Sequence, residues 1–498
     1  MTKGGWQMFI GVDVGTSSTK GVLVSADGAL VASATREHEV LRPATGHVES
    51  DPAQWWNEFC DIARELTPQA EQPIEAVGVS GMGPCVLVTD ENDEPLRPAI
   101  LYGVDMRAVD QIEALNAELG AEEVLQRCGS ALSTQAVGPK LRWIAEHEPE
   151  VWARTRRLYM PSSWLARQLT GAYVLDHHSA SQAVPLHDTH TRDWYAPWCE
   201  LIAPELELPE LRWPGEVAGT ITDEAAEATG LPAGINVITG TIDAWSEAIS
   251  AGAHEVGDLM LMYGTTLFMI NTVEDLITHP NLWGTVGALP DTRNLAAGMA
   301  TSGAITSWLR GLFGKPEYAD LVIEAGESPP GADGLLMLPY FAGERTPIAD
   351  ADARGTVLGL TVSHTRGDLY RAALEATAFG IRHNIETFTE AGATINRVVA
   401  VGGGTQGDLW TQIVSDVTGL DQVIPTETVG ASLGAAFLAA RTVSDVRIED
   451  WNPPARTITP DERHRQTYDQ RYALYRDLYP ATVEINHALA ATQTRTTE

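Results

Sequence analysis

The sequence is poor in cysteine, with four among 498 residues, at positions 60, 85, 128 and 199, and no C-x-x-C pair or zinc spacing. That excludes a disulfide-stapled fold and a cysteine-based metal centre, and it predicts reduced, buried thiols in a cytoplasmic protein. Positive charge is scarce as well: 33 Lys and Arg stand against 67 Asp and Glu, a formal net charge of −34. Such a chain repels nucleic-acid backbones and anionic membranes, so neither is expected as a partner. An anionic ligand must then be held by a local site against the overall field. No apolar run reaches membrane-spanning length, and residues 1–7 carry no apolar stretch after Lys3, so neither a membrane span nor a signal peptide is expected. No G-x-x-x-x-G-K-[ST] occurs, which excludes a P-loop nucleotide site.

The remaining composition, 44% apolar and 20% charged, is that of a globular protein, and the length calls for two domains or more. Strand, turn and helix signals alternate to about residue 245, which predicts mixed α/β sheets covered by helices. Asp51-Pro52 reads as an N-cap followed by a proline at the first helical position, opening a helix to Leu66. A Val-rich strand over 74–80 runs into a turn at 81–85 and a second strand at 86–89. Histidines 177, 178, 187 and 190, with Asp176 and Asp188, lie in a polar stretch without helical i, i+4 register, which argues against a metal there.

Residues 8–24 carry the strongest signal. Met8-Phe9-Ile10-Gly11-Val12-Asp13-Val14 and Gly21-Val22-Leu23-Val24 read as two buried strands joined by a turn of Gly15, Thr16, Ser17 and Ser18. A carboxylate at the end of a buried strand is costly unless something offsets it. A Mg²⁺ on Asp13 would do so, because Mg²⁺ takes oxygen ligands and commonly uses one or two carboxylates plus substrate phosphates. The turn offers hydroxyls and backbone N–H groups suited to phosphate oxygens, with Lys20 as a cation nearby. Residues 258–270 repeat the theme: strand, Gly264-Thr265-Thr266 turn, strand. Two such hairpins, each opening one half of the chain, predict a duplicated architecture.

A third turn, Gly402-Gly403-Gly404-Thr405-Gln406-Gly407, follows the strand 398–401 and precedes a helix over 408–418, a corner suited to a nucleotide. Gly402, Gly404 and Gly407 also satisfy G-x-G-x-x-G, with Glu427 about twenty residues on, as in dinucleotide-binding dehydrogenases. Too little chain follows Glu427 to complete a doubly wound sheet, and the Gly-Thr hairpins would be left unexplained. Residues 429–436 form a small-residue turn and helix. Thr459-Pro460-Asp461-Glu462 reads as a capping box opening a last helix, which Tyr468, Tyr472, Tyr475 and Tyr479 dock onto the body.

These residues, in this order, resemble the FGGY family of carbohydrate kinases, within the actin, hexokinase and chaperone superfamily, with the xylulokinase-like branch nearest. The resemblance runs from Ile10 to about Tyr479. It includes Gly11-Val12-Asp13-Val14-Gly15-Thr16-Ser17, Pro139-Lys140-Leu141-Arg142-Trp143-Ile144, Gly240-Thr241-Ile242-Asp243, Gly264-Thr265-Thr266, the run from Pro339 to Pro347, and Gly402-Gly403-Gly404 through Gly419. It implies two ribonuclease H-like domains with a cleft between them that closes on ligands. The division expected is 8–247 for the sugar, 248–441 for ATP, 442–490 as linker and docking helix, and 491–498 as a disordered tail. It also implies Asp243 as general base for a sugar hydroxyl. Asp13 is the implied Mg²⁺ ligand. ATP is implied on Asp13, Gly15, Thr16, Ser17, Lys20, Gly264, Thr265, Thr266, Gly402, Gly403, Gly404 and Gln406. Taken alone, without the resemblance, Asp243 reads as a helix N-cap.

The sequence departs from the family at the sugar end. Pro84 stands where xylulokinases typically carry a His, Ala244 where an Asn is common, and the Tyr102 to Arg107 stretch is one residue longer. Met82, Gly83, Pro84, Asp105, Arg107, Asp243 and Trp245 are the expected sugar contacts. The acceptor is then a small sugar or polyol other than D-xylulose, with Trp245 as the side chain able to restore a lost contact. A homodimer is the expected assembly. The competing readings are an actin-like or chaperone-like ATPase, a pseudokinase that has lost Asp13 or Asp243, and the dehydrogenase.

Overall fold

The apolar run at 8–14 is buried along nearly its whole length because it forms an interior strand, β1 (Met8–Val14). The computed structural model describes residues 7–493. The first sheet also contains β2 (Ser18–Ser25), β3 (Leu30–Glu37), β4 (Ile74–Gly81), β5 (Val217–Thr220) and β6 (Asn236–Ile238). They lie in the order β5-β6-β4-β1-β2-β3, and the two-residue strand Thr241–Ile242 continues alongside β4. The β1-β2-β3 meander is antiparallel, β1, β4 and β6 are parallel, and β5 is antiparallel to β6.

The second sheet is built the same way. It contains β7 (Asp258–Tyr263), β8 (Leu267–Val273), β9 (Arg293–Met299), β10 (Arg397–Val401), β11 (Gln422–Pro425) and β12 (Pro454–Ile458). Their order is β9-β8-β7-β10-β11-β12. The β7-β8 hairpin is antiparallel, β7, β10 and β11 are parallel, and β12 closes antiparallel to β11. This duplicates the first sheet, as the two hairpins predicted. It also sets Gly402 beside only three parallel strands, unlike the doubly wound sheet of a dehydrogenase.

Packing divides the chain into two units that are not linear in sequence. One comprises Met1–His254, Glu274–Asn294 and Val429–Pro453, the other Glu255–Val273, Leu295–Thr428 and Pro454–Glu498. The division differs from the expected 8–247 and 248–441 because the helix Ala431–Ala440 is buried at every position and packs on the first sheet. Its fit depends on glycine. A Cβ on Gly11 or Gly78 would lie 2.0 or 1.9 Å from the carbonyl oxygens of Ser432 and Ala435.

Local signals held in most places. The helix Pro52–Leu66 is capped by Asp51, whose carboxylate accepts from Ala53 N–H at 2.9 Å. All four cysteines are free and buried. The last helix, Arg465–Ala490, buries Tyr468, Tyr472 and Tyr475, and Tyr479 donates to Asp350 at 2.6 Å. Its start differs from expectation. Asp461 caps a short 3₁₀ turn, Glu462–His464, and the α-helix begins only at Arg465, so Thr459 is not its cap. Residues 491–493 form a turn and bend; the rest of the expected tail, 494–498, lies outside the described residues.

Candidate active site

In the first unit the β1-β2 turn is tight: Gly15 N–H donates to Ser18 O at 3.0 Å. His38 braces it from behind. Its Nε2 meets Gly15 O at 3.0 Å, its backbone N–H donates to Ser17 O, and its Nδ1 meets Glu58 at 2.9 Å. Asp13 is half-buried between two neighbours in register, Lys20 on β2 and Ser80 on β4, and accepts from Ser80 Oγ at 2.9 Å.

Asp243 opens the helix Asp243–Ser250 as its first helical residue, with Ile242 at the cap, so the N-cap alternative does not hold. Its carboxylate accepts the Ala244 N–H at 2.7 Å, and the positive end of the helix favours the ionised form. One turn on, Glu247 shares its face. The three acids Asp13, Asp243 and Glu247 are each half-buried and repel one another. Burial raises Asp13, Asp243 and Glu247; the charge of Asp243 raises Asp13 and Glu247 further; Lys20 opposes at both. Glu247 was missed in the sequence because only the turn of helix places it beside Asp243.

The donor set is all oxygen and in excess of positive charge, which suits a hard divalent cation. Among the described residues no three of His, Cys, Asp or Glu enclose an ion, so phosphate and water would have to complete its shell. The histidines at 177 and 178 lie in the short helix His177–Ser181, not a loop, and His178 is buried with Nδ1 at 2.7 Å from Val286 O.

The acid cluster gives a pH prediction for the ligand-free protein. Glu247 is raised to about 7 from an ordinary value near 4.5. A carboxyl raised on folding costs nothing below its unfolded pKa; the cost grows as pH rises from there to the folded pKa, because the unfolded chain loses the proton first, and it is complete above the folded pKa. Glu247→Gln should therefore be more stable than the parent above pH 7 and indistinguishable at pH 4. Urea midpoints across that range check this; a difference that is constant with pH would refute it.

The expected sugar-side residues fare unevenly. Met82 and Pro84 are buried and only Gly83 in that loop is half-exposed. Asp105 and Arg107 are enclosed, with side-chain exposures of 0% and 1%, and paired at 2.7 Å. Asp105 also accepts from Val48 N–H, and Arg107 donates to Glu49. Both side chains are thus taken up by a buried ion-pair network, which leaves neither pointing to solvent where a substrate hydroxyl or carboxylate would meet it. Trp245 is also turned inward: its ring lies 3.8 Å from that of His178 and its indole N–H donates to Asn294 at 3.0 Å. Its indole donor is thus occupied within the fold. Tyr102 shares a hydrogen bond with Thr16 at 3.0 Å, and Gln135 carries a buried side-chain carbonyl with no hydrogen-bond partner beside Gly103.

The second unit gathers the other two glycine turns. Gly402 has φ +89°, and a Cβ there would lie 2.5 Å from Tyr263 O, while one on Gly404 would lie 2.8 Å from Tyr263 Cβ. Only glycine lets this turn sit against the strand that ends in Gly264. Gly403 and Gln406 are exposed, and a Cβ on Gly403 would meet nothing within 4 Å. Gly264 and Thr265 are exposed and Thr266 is half-buried. The carbonyl of Gly264 accepts from Gly303 N–H, and that of Thr265 from Ser302 and Ala304 N–H, at 3.0 Å each. Residues 302–304 open the helix Gly303–Leu312 and hold this loop. They were not singled out in the sequence, although the small-residue run Ala300-Thr301-Ser302-Gly303-Ala304 was a usable signal. The Pro339 to Pro347 stretch supports them in turn, because buried Glu344 accepts from Ala300 N–H at 2.7 Å.

Comparison with known proteins agrees with this layout. The model for the FGGY family of carbohydrate kinases, N-terminal domain, matches residues 8–250, and that for the C-terminal domain matches 259–443. The chain is 29% identical over 485 residues to the xylulose kinase of Escherichia coli (strain K12), covering 95% of this chain and 98% of that protein. It is 29% identical over 458 residues to the glycerol kinase of Janthinobacterium sp. (strain Marseille), covering 88% and 90%. The crystal structure of xylulose kinase from Rhodospirillum rubrum superposes with TM-score 0.90 at 33% identity, over 96% of this chain and all of that one.

Proposed function

Because the chain belongs to the FGGY family of carbohydrate kinases, and is xylulokinase-like along its length, we propose that it transfers the γ-phosphoryl group of ATP to a hydroxyl of a small sugar or polyol, with Asp243 as general base. The observation that carries this is the placement of Asp243: a carboxylate held by a helix N-terminus, beside a second acid, Asp13, at the head of a Gly-Thr turn. The acceptor oxygen attacks the γ-phosphorus as its proton passes to Asp243, and the bond to the β–γ bridging oxygen breaks to release ADP. The Gly15, Thr16 and Ser17 turn with Lys20, and the Gly264, Thr265 and Thr266 turn, would bind phosphate oxygens through N–H and hydroxyl groups. Gly402, Gly403, Gly404 and Gln406 would lie along the adenosine. Asp13, with Glu247 in support, would hold Mg²⁺, which when bound neutralises phosphate charge. The pseudokinase reading loses its ground, since Asp13 and Asp243 are both present. Asp105 and Arg107 serve in this reading as a buried pair that ties their stretch to Val48 and Glu49, not as contacts.

For the acceptor, the names of the xylulose kinase relatives point to xylulose and the sugar wall points away from it. Pro84 and Ala244 offer no side-chain hydrogen bond, and the Trp245 donor is occupied. Two missing neutral hydrogen bonds amount to about 1–3 kcal/mol, or roughly ten- to a hundredfold in kcat/KM. The test is ADP formation across ketopentoses, pentitols, tetritols, tetruloses and aldonates. Another polyol or ketose should exceed D-xylulose; a tenfold lead for D-xylulose would overturn the acceptor reading and leave the kinase reading standing.

A further inference from the structure

The Pro139-Lys140-Leu141-Arg142-Trp143 run has no role in the reaction described so far, yet it buries a lysine, Lys140. It is 1% exposed. It lies in the first turn of the helix Val137–His147, where the positive end of the helix opposes a cation. Among the described residues no carboxylate pairs with it; its Nζ donates instead to the carbonyls of Thr134 at 2.7 Å and Gln135 at 3.4 Å. A buried ammonium with no carboxylate in ion-pair contact is costly, and a Met or Leu would fill the same space without that cost.

The carbonyls that it gathers belong to the joint between two segments of the sugar wall. Thr134 O also accepts from Gly103 N–H at 3.2 Å, and Thr134 Oγ1 donates back to Gly103 O at 3.0 Å. Gly103 sits at φ +56°, with the Gln135 amide 3.3 Å from where a Cβ would stand. The preceding residue, Tyr102, bonds Thr16 of the phosphate turn. The charged or titratable groups facing Lys140 are Cys85, Asp105 and Arg107.

We infer that Lys140 is a positioning residue for the acceptor, its ammonium tying segment 134–135 to the Tyr102-Gly103 joint and so fixing the wall that orients the sugar. The inference rests on the proposed kinase function, with Gly83 as an expected sugar contact, and adds to that wall the half-exposed Tyr102 and the unpartnered side-chain carbonyl of Gln135. Burial lowers Lys140 to about 8, whereas Cys85 is raised to about 12 and Arg107 is raised above its already high value. Of the lysine, thiol and guanidinium, only the lysine changes charge between pH 7 and 9.5.

The experiment uses the acceptor of highest kcat/KM from the panel above. Lys140→Met should raise its KM by about ten- to a hundredfold, with kcat and the ATP KM changed by less than about threefold. Wild-type acceptor KM should rise from pH 7 to 9.5, and the variant's should not, a difference that a merely structural lysine would not produce. Should Lys140→Met fail to fold, as judged by ADP binding, Thr134→Val tests the same joint: it should raise KM while keeping the wild-type pH profile. A folded Lys140→Met with wild-type KM and pH dependence overturns the inference, as does a wild-type KM flat over that range. Absence of turnover by the wild type on every acceptor would instead overturn the kinase reading on which it rests.

Discussion

Asp243→Asn should lower kcat by about 10²–10⁴-fold, the usual contribution of a general base, with ADP binding unchanged. Asparagine keeps the size and polarity of the side chain. Its amide oxygen still accepts the Ala244 N–H that the carboxylate accepts at 2.7 Å. The helix start is therefore preserved, and what disappears is the capacity to take a proton from the sugar hydroxyl. The change also removes one of three mutually repelling acids, so the variant should be at least as stable as the parent at neutral pH. A kinase assay on the best acceptor, paired with calorimetric titration of ADP, separates the two effects. Turnover near the wild-type rate would remove Asp243 from the base role; loss of ADP binding along with activity would point to a disturbed site.

The largest effect on stability is expected far from the chemistry, at Gly78. A Cβ there would stand 1.9 Å from the carbonyl oxygen of Ala435, a backbone atom that no rotamer change can move. The same helix meets Gly11 on β1, and its Gly434 lies against the helix that begins at Asp243, where a Cβ would be 1.9 Å from Ser246 O. Gly78→Ala must push this helix off the sheet and take the Asp243 helix with it. Overpacking commonly costs 1–3 kcal/mol, and with backbone on both sides about 3 kcal/mol or more is expected. The urea midpoint should fall accordingly and activity should fall with it. Gly311→Ala is the control. It lies within a helix with nothing within 4 Å of the added carbon, so it should be neutral or slightly stabilising. Equal midpoints for Gly78→Ala and Gly311→Ala would show that the close approach does not limit stability.

Most of the fold was legible because its signals are local. The two Gly-Thr hairpins, the Asp51-Pro52 start and the strand, glycine turn and helix at 397–418 each announce themselves within a few residues, through apolar runs and backbone chemistry that needs no distant partner. The repeat of the hairpin was enough to expect the repeat of the sheet. The glycine turns were legible for the same reason, whereas the candidate base was reached only through the family resemblance, since Asp243 taken alone reads as a helix N-cap. Side-chain direction was not. Asp105, Arg107 and Trp245 are polar or amphipathic residues in the right stretch, and the sequence by itself allowed each to face a ligand. Tertiary packing turned all three inward, because Glu49, Val48, Asn294 and His178, brought from elsewhere in the chain, complete their bonds and contacts there. The same holds for Glu247 and Lys140, whose neighbours exist only once the sheet, the helix Ala431–Ala440 and the loop at 134–135 are in place. Backbone conformation is decided by the few residues on either side. The partner of a charged side chain is decided by whichever segment the fold delivers, and that information is spread over the whole chain.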